Sequence, residues 1–292
     1  MTQVSIPIDE WVTVDGLSFH YRDWGGSGRP LMLLHGLAST CHIWDLVAPL
    51  LARDHSVIAL DQRGHGESAK PNEGYDFTSV SKDVLSVIAQ RGGEAPVVVG
   101  HSWGGSVALE MAVRAPEAVK GMVWVDGGMI NASARYSSVE DAKLEMAPPD
   151  FTGVRADGFL ERVRSRHPSN GMSPEVADIV LANFEVLEDQ TIRARLSRAN
   201  HLRIIEALWD HHPTELYGKV QCPVLIMPAR QQNSAATQDR GQRRMMSVDD
   251  AEQLLPRSKT VWLEDSIHDV PLQRPELVAD LISSHLADGF FG

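Results

Sequence analysis

Two uninterrupted apolar runs, Leu31-Met32-Leu33-Leu34 and Val57-Ile58-Ala59-Leu60, stand in the first third of the chain between polar or glycine-rich stretches. Runs without polar alternation suit strands covered on both faces, as in a parallel sheet. Shorter β-like runs precede them, at Trp11-Val12-Thr13-Val14 and Leu17-Ser18-Phe19-His20-Tyr21. From residue 75 to 126 the rhythm becomes helix, strand, helix, strand. The apolar runs Val97-Val98-Val99 and Met122-Val123-Trp124-Val125 flank a helical stretch from Ser106 to Ala115. That alternation predicts parallel strands joined by crossover helices. After about residue 127 the β rhythm stops and amphipathic helical patterns take over. In one of them Val176, Ile179, Val180, Phe184 and Leu187 recur near the helical period and share a face. The β rhythm resumes at Val224-Leu225-Ile226-Met227 and Thr260-Val261-Trp262-Leu263. A last helix from about Pro275 buries Leu277, Val278, Leu281 and Ile282. The pattern predicts an α/β fold with a mostly parallel central sheet flanked by helices. The core spans 1–127 and 216–292 and is interrupted by an all-helical cap over 128–215.

The length of 292 residues suits one large domain, or a core that carries such an insertion. A hydrophobic share of 43% and a charged share of 23% belong to an ordinary globular chain with a packed interior. Twenty-seven basic residues against 39 acidic ones leave a net charge of −12, a field that repels phosphate backbones and anionic headgroups. Nucleic acid and membrane surfaces are therefore not expected as partners. Cys41 and Cys222 are the two cysteines, too few and too far apart for a disulfide framework or a zinc site. The opening Met1-Thr2-Gln3-Val4-Ser5-Ile6-Pro7-Ile8 lacks the basic patch and apolar run of a secretory leader, so a cytoplasmic protein is expected.

Chemistry enters at Gly100-His101-Ser102-Trp103-Gly104, between the run Val97–Val99 and a helical stretch. A G-x-S-x-G sequence between strand and helix is a nucleophile elbow. The serine sits on a strained turn, and its neighbours two positions away lack side chains, so that strand and helix pack closely while Oγ projects into the cleft. The helix after it directs its N-terminal amides toward developing negative charge.

With these residues the chain resembles the α/β-hydrolase fold family, in its capped serine esterase form, over nearly its full length. His35-Gly36-Leu37-Ala38 resembles that family's oxyanion loop, and Asp61-Gln62-Arg63-Gly64-His65-Gly66-Glu67-Ser68 its D-x-R-G-x-G-x-S signature. The resemblance implies that the amides of Leu37 and Trp103 form an oxyanion hole, and that the Asp61–Ser68 loop braces the core. It also places the general base at His268, just past the last predicted strand. His101, next to the nucleophile, reads as a packing residue of the elbow. His211-His212 read as polar turn residues, because two adjacent histidines alone do not make a metal site.

The acid departs from the family's commonest pattern. Pro228-Ala229-Arg230 runs into Gln231-Gln232-Asn233-Ser234, and no carboxylate stands there; the next downstream is Asp239. Asp126 ends the strand after the elbow, where a minority of the family carries its acid. Parallel strands present their C-terminal ends at one rim, so Ser102 and Asp126 would emerge side by side. The expected triad is Ser102, Asp126 and His268, with Asp239 or no acid at all as the alternatives.

The cap is expected to roof the site and set specificity, with His35, Met129, Phe159 and Trp209 as candidate substrate contacts and Ile130, Phe151 and Phe184 nearby. The implied activity is hydrolysis of small or medium carboxylic esters, lactones among them, through an acyl-enzyme and without cofactor or metal, in a monomer or homodimer. Epoxide hydrolase and dehalogenase chemistry need a carboxylate nucleophile, which Ser102 cannot supply. Carbon–carbon bond hydrolysis and ligand sensing on a hydrolase scaffold are the alternatives.

Overall fold

The computed structural model describes residues 6–166, 174–231 and 235–292. The first five residues, and the polar run Gln232-Asn233-Ser234 after the penultimate long strand, lie outside the described residues. Among those described, an eight-stranded sheet takes up the apolar runs. Its strands are β1 (Ile8–Val14), β2 (Leu17–Gly25), β3 (Pro30–Leu34), β4 (Ser56–Leu60), β5 (Val97–His101), β6 (Gly121–Val125), β9 (Val224–Met227) and β11 (Ser258–Thr260). Two small pairs stand apart from it: a hairpin of β7 (Phe184–Val186) with β8 (Ile192–Ala194), and β10 (Ala229–Arg230) with β12 (Leu263–Glu264). The large sheet runs β1-β2-β4-β3-β5-β6-β9-β11. Pairing is antiparallel from β1 to β2 and from β2 to β4, and parallel from β4 onward.

The uninterrupted apolar runs have the expected cause. On one face, Met32, Leu34, Val98, Met122, Trp124 and Ile226 pack under α2 (Phe77–Arg91) and α3 (Trp103–Arg114). On the other, Leu31, Leu33, Val97, Val99, Val123, Val125 and Leu225 pack against α1 (Ala48–Leu51) and α12 (Pro275–Ala287). Successive residues of a strand point to opposite faces, so a strand roofed on both sides must be apolar throughout.

The predicted strand Thr260–Leu263 is divided into β11 and β12. Its neighbour is interrupted at the same level by Pro228, between β9 and β10, which has no amide proton to give the ladder. The carbonyl of Pro228 still accepts from the Leu263 amide at 2.9 Å, which carries the pairing across the break.

Between β6 and β9 lie α4 (Ala132–Arg135), α5 (Val139–Met146), α6 (Ala156–Arg166), α7 (Pro174–Leu181), the β7–β8 hairpin, α8 (Arg198–Asp210) and α9 (Thr214–Tyr217). Among its described residues the regular structure of this segment is thus helical except for the hairpin, and the proposed helical face through Phe184 and Leu187 is corrected. Helix α7 stops at Leu181, with Val176 and Ile179 buried on it, and Phe184 begins a strand. The hairpin turn is closed by Asp189, whose carboxylate accepts from the Thr191 amide at 2.9 Å beside Gln190 at φ 65°. Phe184 faces Phe151 and Phe159 at ring distances of 4.7 and 4.8 Å, and that aromatic packing overrides the helical spacing. The helices α10 (Ala235–Leu254) and α11 (Val270–Gln273) complete the chain. Among the described residues, no helix is long and apolar enough to cross a membrane.

Candidate active site

Ser102 caps the N-terminus of α3 at φ 52° and ψ −120°. An L-residue there carries strain of about 1–3 kcal/mol that the surroundings must hold. They do so by close approach. A Cβ on Gly104 would lie 2.5 Å from the carbonyl oxygen of Leu34, and one on Gly100 would collide with the backbone of Gly104 and Gly105. The Ser102 amide donates to Val125 O at 3.1 Å, which ties the turn to the neighbouring strand.

Three strand ends then converge. His268 Nε2 lies 3.0 Å from Ser102 Oγ, and His268 Nδ1 lies 2.6 Å from Asp126 Oδ2. Asp126 leaves β6 at φ 46°, a left-handed conformation that Asp tolerates better than most residues, and its side chain is 1% exposed. Its other oxygen, Oδ1, accepts from the Ala229 amide at 2.9 Å. The carboxylate therefore serves both edges, and its pKa falls below the ordinary value. Burial opposes that shift, but the hydrogen bond and charge of His268, the Arg244 guanidinium and the Ala229 amide outweigh it. For His268 burial works to lower the pKa, while the bond to Asp126 and its charge raise it further, so the imidazole titrates above its usual value.

His101 fills the elbow, as expected. Its Nε2 donates to the carbonyl of His268 at 2.9 Å and so ties down the backbone of that residue. Burial, followed by the nearby His268 charge, lowers its pKa to about 4, which keeps it neutral. Gly36 stands directly over the serine: a Cβ there would be 3.0 Å from Ser102 Cβ. The loop that carries Gly36 is held by two neutral imidazoles. His35 Nδ1 donates to Gly36 O at 2.7 Å while Nε2 accepts from the Gln62 amide at 3.0 Å. His65 Nδ1 donates to Arg63 O at 2.9 Å while Nε2 accepts from the Ala38 amide at 3.2 Å. Burial lowers both pKa values, as two accepting nitrogens require. Ala38 is engaged on His65 and the Ser39 amide on Gly36 O, which leaves Leu37 between two tied residues, and Trp103 opens α3 directly after the serine.

Asp61 supports this loop from below. Its carboxylate accepts from His20 at 2.7 Å, from the Cys41 amide at 2.8 Å and from the Glu67 amide at 2.9 Å. His20, Cys41 and Asp61 are all buried and face one another. With its oxygens occupied by these donors, Asp61 acts as the brace that its sequence position suggests.

Other expected contacts are placed elsewhere. His35 is fully buried with both ring nitrogens engaged, so it is a brace and the substrate contact expected of it is corrected. Phe159 packs into the Phe151–Phe184 cluster, and Trp209 sits partly buried on α8. Met129 does line a cavity of about 390 Å³, together with Asp126, Ile130, Arg135, Tyr217 and Arg244. That cavity meets the Ser102–His268–Asp126 line at Asp126, and neither Ser102 nor His268 is in its wall. His211 is corrected from a turn residue to a buried one, stacked on Phe77 at 4.0 Å beside Glu110. The Asp239 side chain lies outside the described residues.

Two neighbours of Asp126 were not singled out from the sequence. Gly127 passes so close that a Cβ would lie 2.6 Å from the Ser102 amide nitrogen. Arg244, on α10, places Nη2 3.1 Å from Asp126 Oδ2. Only the doubled Gly127-Gly128 after Asp126 hinted at a close approach; Arg244 stands in a polar helix whose pattern singles out no residue.

A sequence model described as the alpha/beta hydrolase family matches residues 31–281. The chain is 39% identical over 125 residues to a soluble epoxide hydrolase of Corynebacterium sp. (strain C12), a match covering 42% of this chain and 43% of that protein. It is 41% identical over 101 residues to a non-heme haloperoxidase of Rhodococcus erythropolis, covering 34% and 36%. The matches thus span less than half the length of these relatives. Among solved structures, E-2-(acetamidomethylene)succinate hydrolase superposes with a TM-score of 0.76 at 22% identity, covering 97% of this chain and 100% of that one. The thioesterase domain from the curacin biosynthetic pathway superposes at 0.74 and 19%, covering 96% and 99%. These two likenesses are likenesses of fold. With a family pattern that spans most of its length, this chain belongs to the alpha/beta hydrolase family.

Proposed function

We propose that the protein hydrolyses carboxylic esters of small or medium size, lactones included, through an acyl-enzyme on Ser102. The observation that carries this reading is the continuous relay from Ser102 Oγ to His268 Nε2 at 3.0 Å and from His268 Nδ1 to Asp126 Oδ2 at 2.6 Å. His268 takes the hydroxyl proton as Ser102 Oγ bonds to the ester carbonyl carbon, and the carbonyl electrons move onto oxygen. The amides of Leu37 and Trp103 hold that oxyanion, each worth about 3 kcal/mol in such sites. The C–O bond to the alcohol then breaks as His268 returns the proton to the leaving oxygen. Water repeats the sequence on the acyl-enzyme and releases the acid. Asp126 holds the tautomer with Nδ1–H and stabilises the imidazolium.

Names among the relatives include epoxide hydrolase and dehalogenase. Opening an epoxide or displacing a halide through an alkyl ester needs a carboxylate where this chain has Ser102, so the serine favours acyl transfer. The domain division into a core over 1–127 and 216–292 and a cap over 128–215 belongs to this proposal, as does a cytoplasmic protein acting without a cofactor. The test is release of nitrophenol from short acyl esters. Wild type is expected to turn over repeatedly after a burst, and Ser102→Ala to abolish both phases. Absence of turnover by wild type across short acyl esters and lactones would overturn the reading.

A further inference from the structure

Arg244 is more than the relay needs. Its Nη2 lies 3.1 Å from Asp126 Oδ2, the oxygen that also accepts from His268 Nδ1. Its Nη1 donates to the carbonyl of Ala229, and the amide of that residue donates to Asp126 Oδ1. Arginine, Ala229 backbone and carboxylate therefore close a ring that defines the carboxylate plane. The Arg244 side chain is 37% exposed and lines the cavity of about 390 Å³ next to Asp126. A long, half-exposed arginine held in one geometry loses side-chain entropy. Its place against the one buried carboxylate of the relay is what distinguishes it.

We propose that Arg244 is a positioning residue that orients Asp126 and, by competing with His268 for Oδ2, sets the pH at which His268 becomes free to accept the Ser102 proton. The inference rests on the ester-hydrolase reading of Ser102, His268 and Asp126. The groups facing this pair are Ser102 and His101 from the end of β5, Arg244 from α10, the Ala229 amide from β10, and Asp269 from the loop of His268 itself. His101 stays neutral and Asp269 is an anion on the same loop, so Arg244 is the cation in this set that opposes charging of the imidazole. Its positive charge lowers the His268 pKa while Asp126 raises it. Removing that charge stabilises the imidazolium, and the neutral, proton-accepting form then appears at higher pH.

The experiment compares Arg244→Gln and Arg244→Lys with wild type at low ionic strength, where exposed charges are least screened. The ascending limb of kcat/KM against pH for a nitrophenyl ester is one readout. The other is an NMR titration of the His268 ring with Ser102→Ala as the common background, which requires no turnover. Arg244→Gln is expected to move both midpoints up by about 0.5–1 pH unit, and Arg244→Lys to leave them within about 0.3 unit. Arg244→Met, which keeps the apolar stem, is expected to match Arg244→Gln and serves if the amide variant folds poorly. A His268 midpoint unmoved or lowered in the charge-removing variants overturns the proposal. Absence of ester turnover by wild type counts against the ester reading instead, and the ring titration then still decides whether Arg244 tunes His268.

Discussion

The substitution Asp126→Asn isolates what the buried carboxylate contributes, and the geometry dictates how the amide must sit. Oδ1 of Asp126 accepts from the Ala229 amide at 2.9 Å, so the oxygen of an asparagine is required on that side. Its NH2 group then faces His268 Nδ1 and the Arg244 guanidinium. Two N–H groups cannot bond to each other, so the imidazole must present a bare Nδ1 and carry its proton on Nε2. That proton points at Ser102 Oγ, 3.0 Å away, and the base can no longer accept from the serine. Serving the wrong tautomer costs on the order of 10⁴ in kcat in Ser-His-Asp enzymes, close to 5 kcal/mol of transition-state stabilisation. KM is expected to move less than about threefold, since Asp126 lies behind the imidazole. The assay is steady-state nitrophenol release at pH 7–8, with thermal unfolding followed in parallel to confirm that the variant is folded. A folded variant that retains more than a tenth of wild-type kcat would refute the tautomer argument and reopen Asp239 as the acid.

Four further outcomes rest on contacts in and beneath the same site. The ascending limb of kcat/KM against pH is expected to have its midpoint above 6.5, because Asp126 raises the His268 pKa; a midpoint below that value in the free enzyme would contradict the ion pair. The same shift contributes to folding stability fully below the unfolded imidazole's pKa and is lost as pH rises through the folded one, so Ser102→Ala with His268→Gln should lose part of its stability difference from Ser102→Ala alone between pH 6 and 9 in urea unfolding. Gly100→Ala would set a methyl against backbone of Gly104 and Gly105, and an unfolding free energy lowered by about 3 kcal/mol is expected in urea, whereas a loss under 1 kcal/mol would mean the elbow can yield. Asp61→Asn leaves the Cys41 and Glu67 amides and His20 competing for one oxygen and is expected to cost about 3 kcal/mol. Because the Asp61 pKa is depressed, that stabilisation is present above the unfolded carboxylate's pKa of about 3.8 and fades as pH falls, and equal wild-type and variant stability at pH 7 would remove Asp61 as the brace.

Much of this was legible in the chain itself. Unbroken apolar runs at Leu31–Leu34, Val57–Leu60 and Val97–Val99 announce strands covered on both faces, because period-two geometry allows no polar position in such a strand. Gly100 and Gly104 around Ser102 announce a turn too tight for side chains, and chain direction in a parallel sheet brings Ser102 and Asp126 to one rim. These are local rules, in which each residue is constrained by neighbours a few positions away. The helical face through Phe184 failed for the opposite reason: Val176, Ile179 and Phe184 do share a spacing, but packing with Phe151 and Phe159, distant in sequence, decides the conformation of the chain beyond Leu181. His35 likewise read as a substrate contact and His211 as a polar turn residue, and burial with specific partners turned them into supports. The tertiary structure alone decided that Asp126 Oδ2 meets His268 across 142 positions of sequence, and that Arg244 shares that oxygen. Hydrogen bonds and ion pairs act over about 3 Å in space whatever the separation along the chain, and a sequence pattern records only the latter.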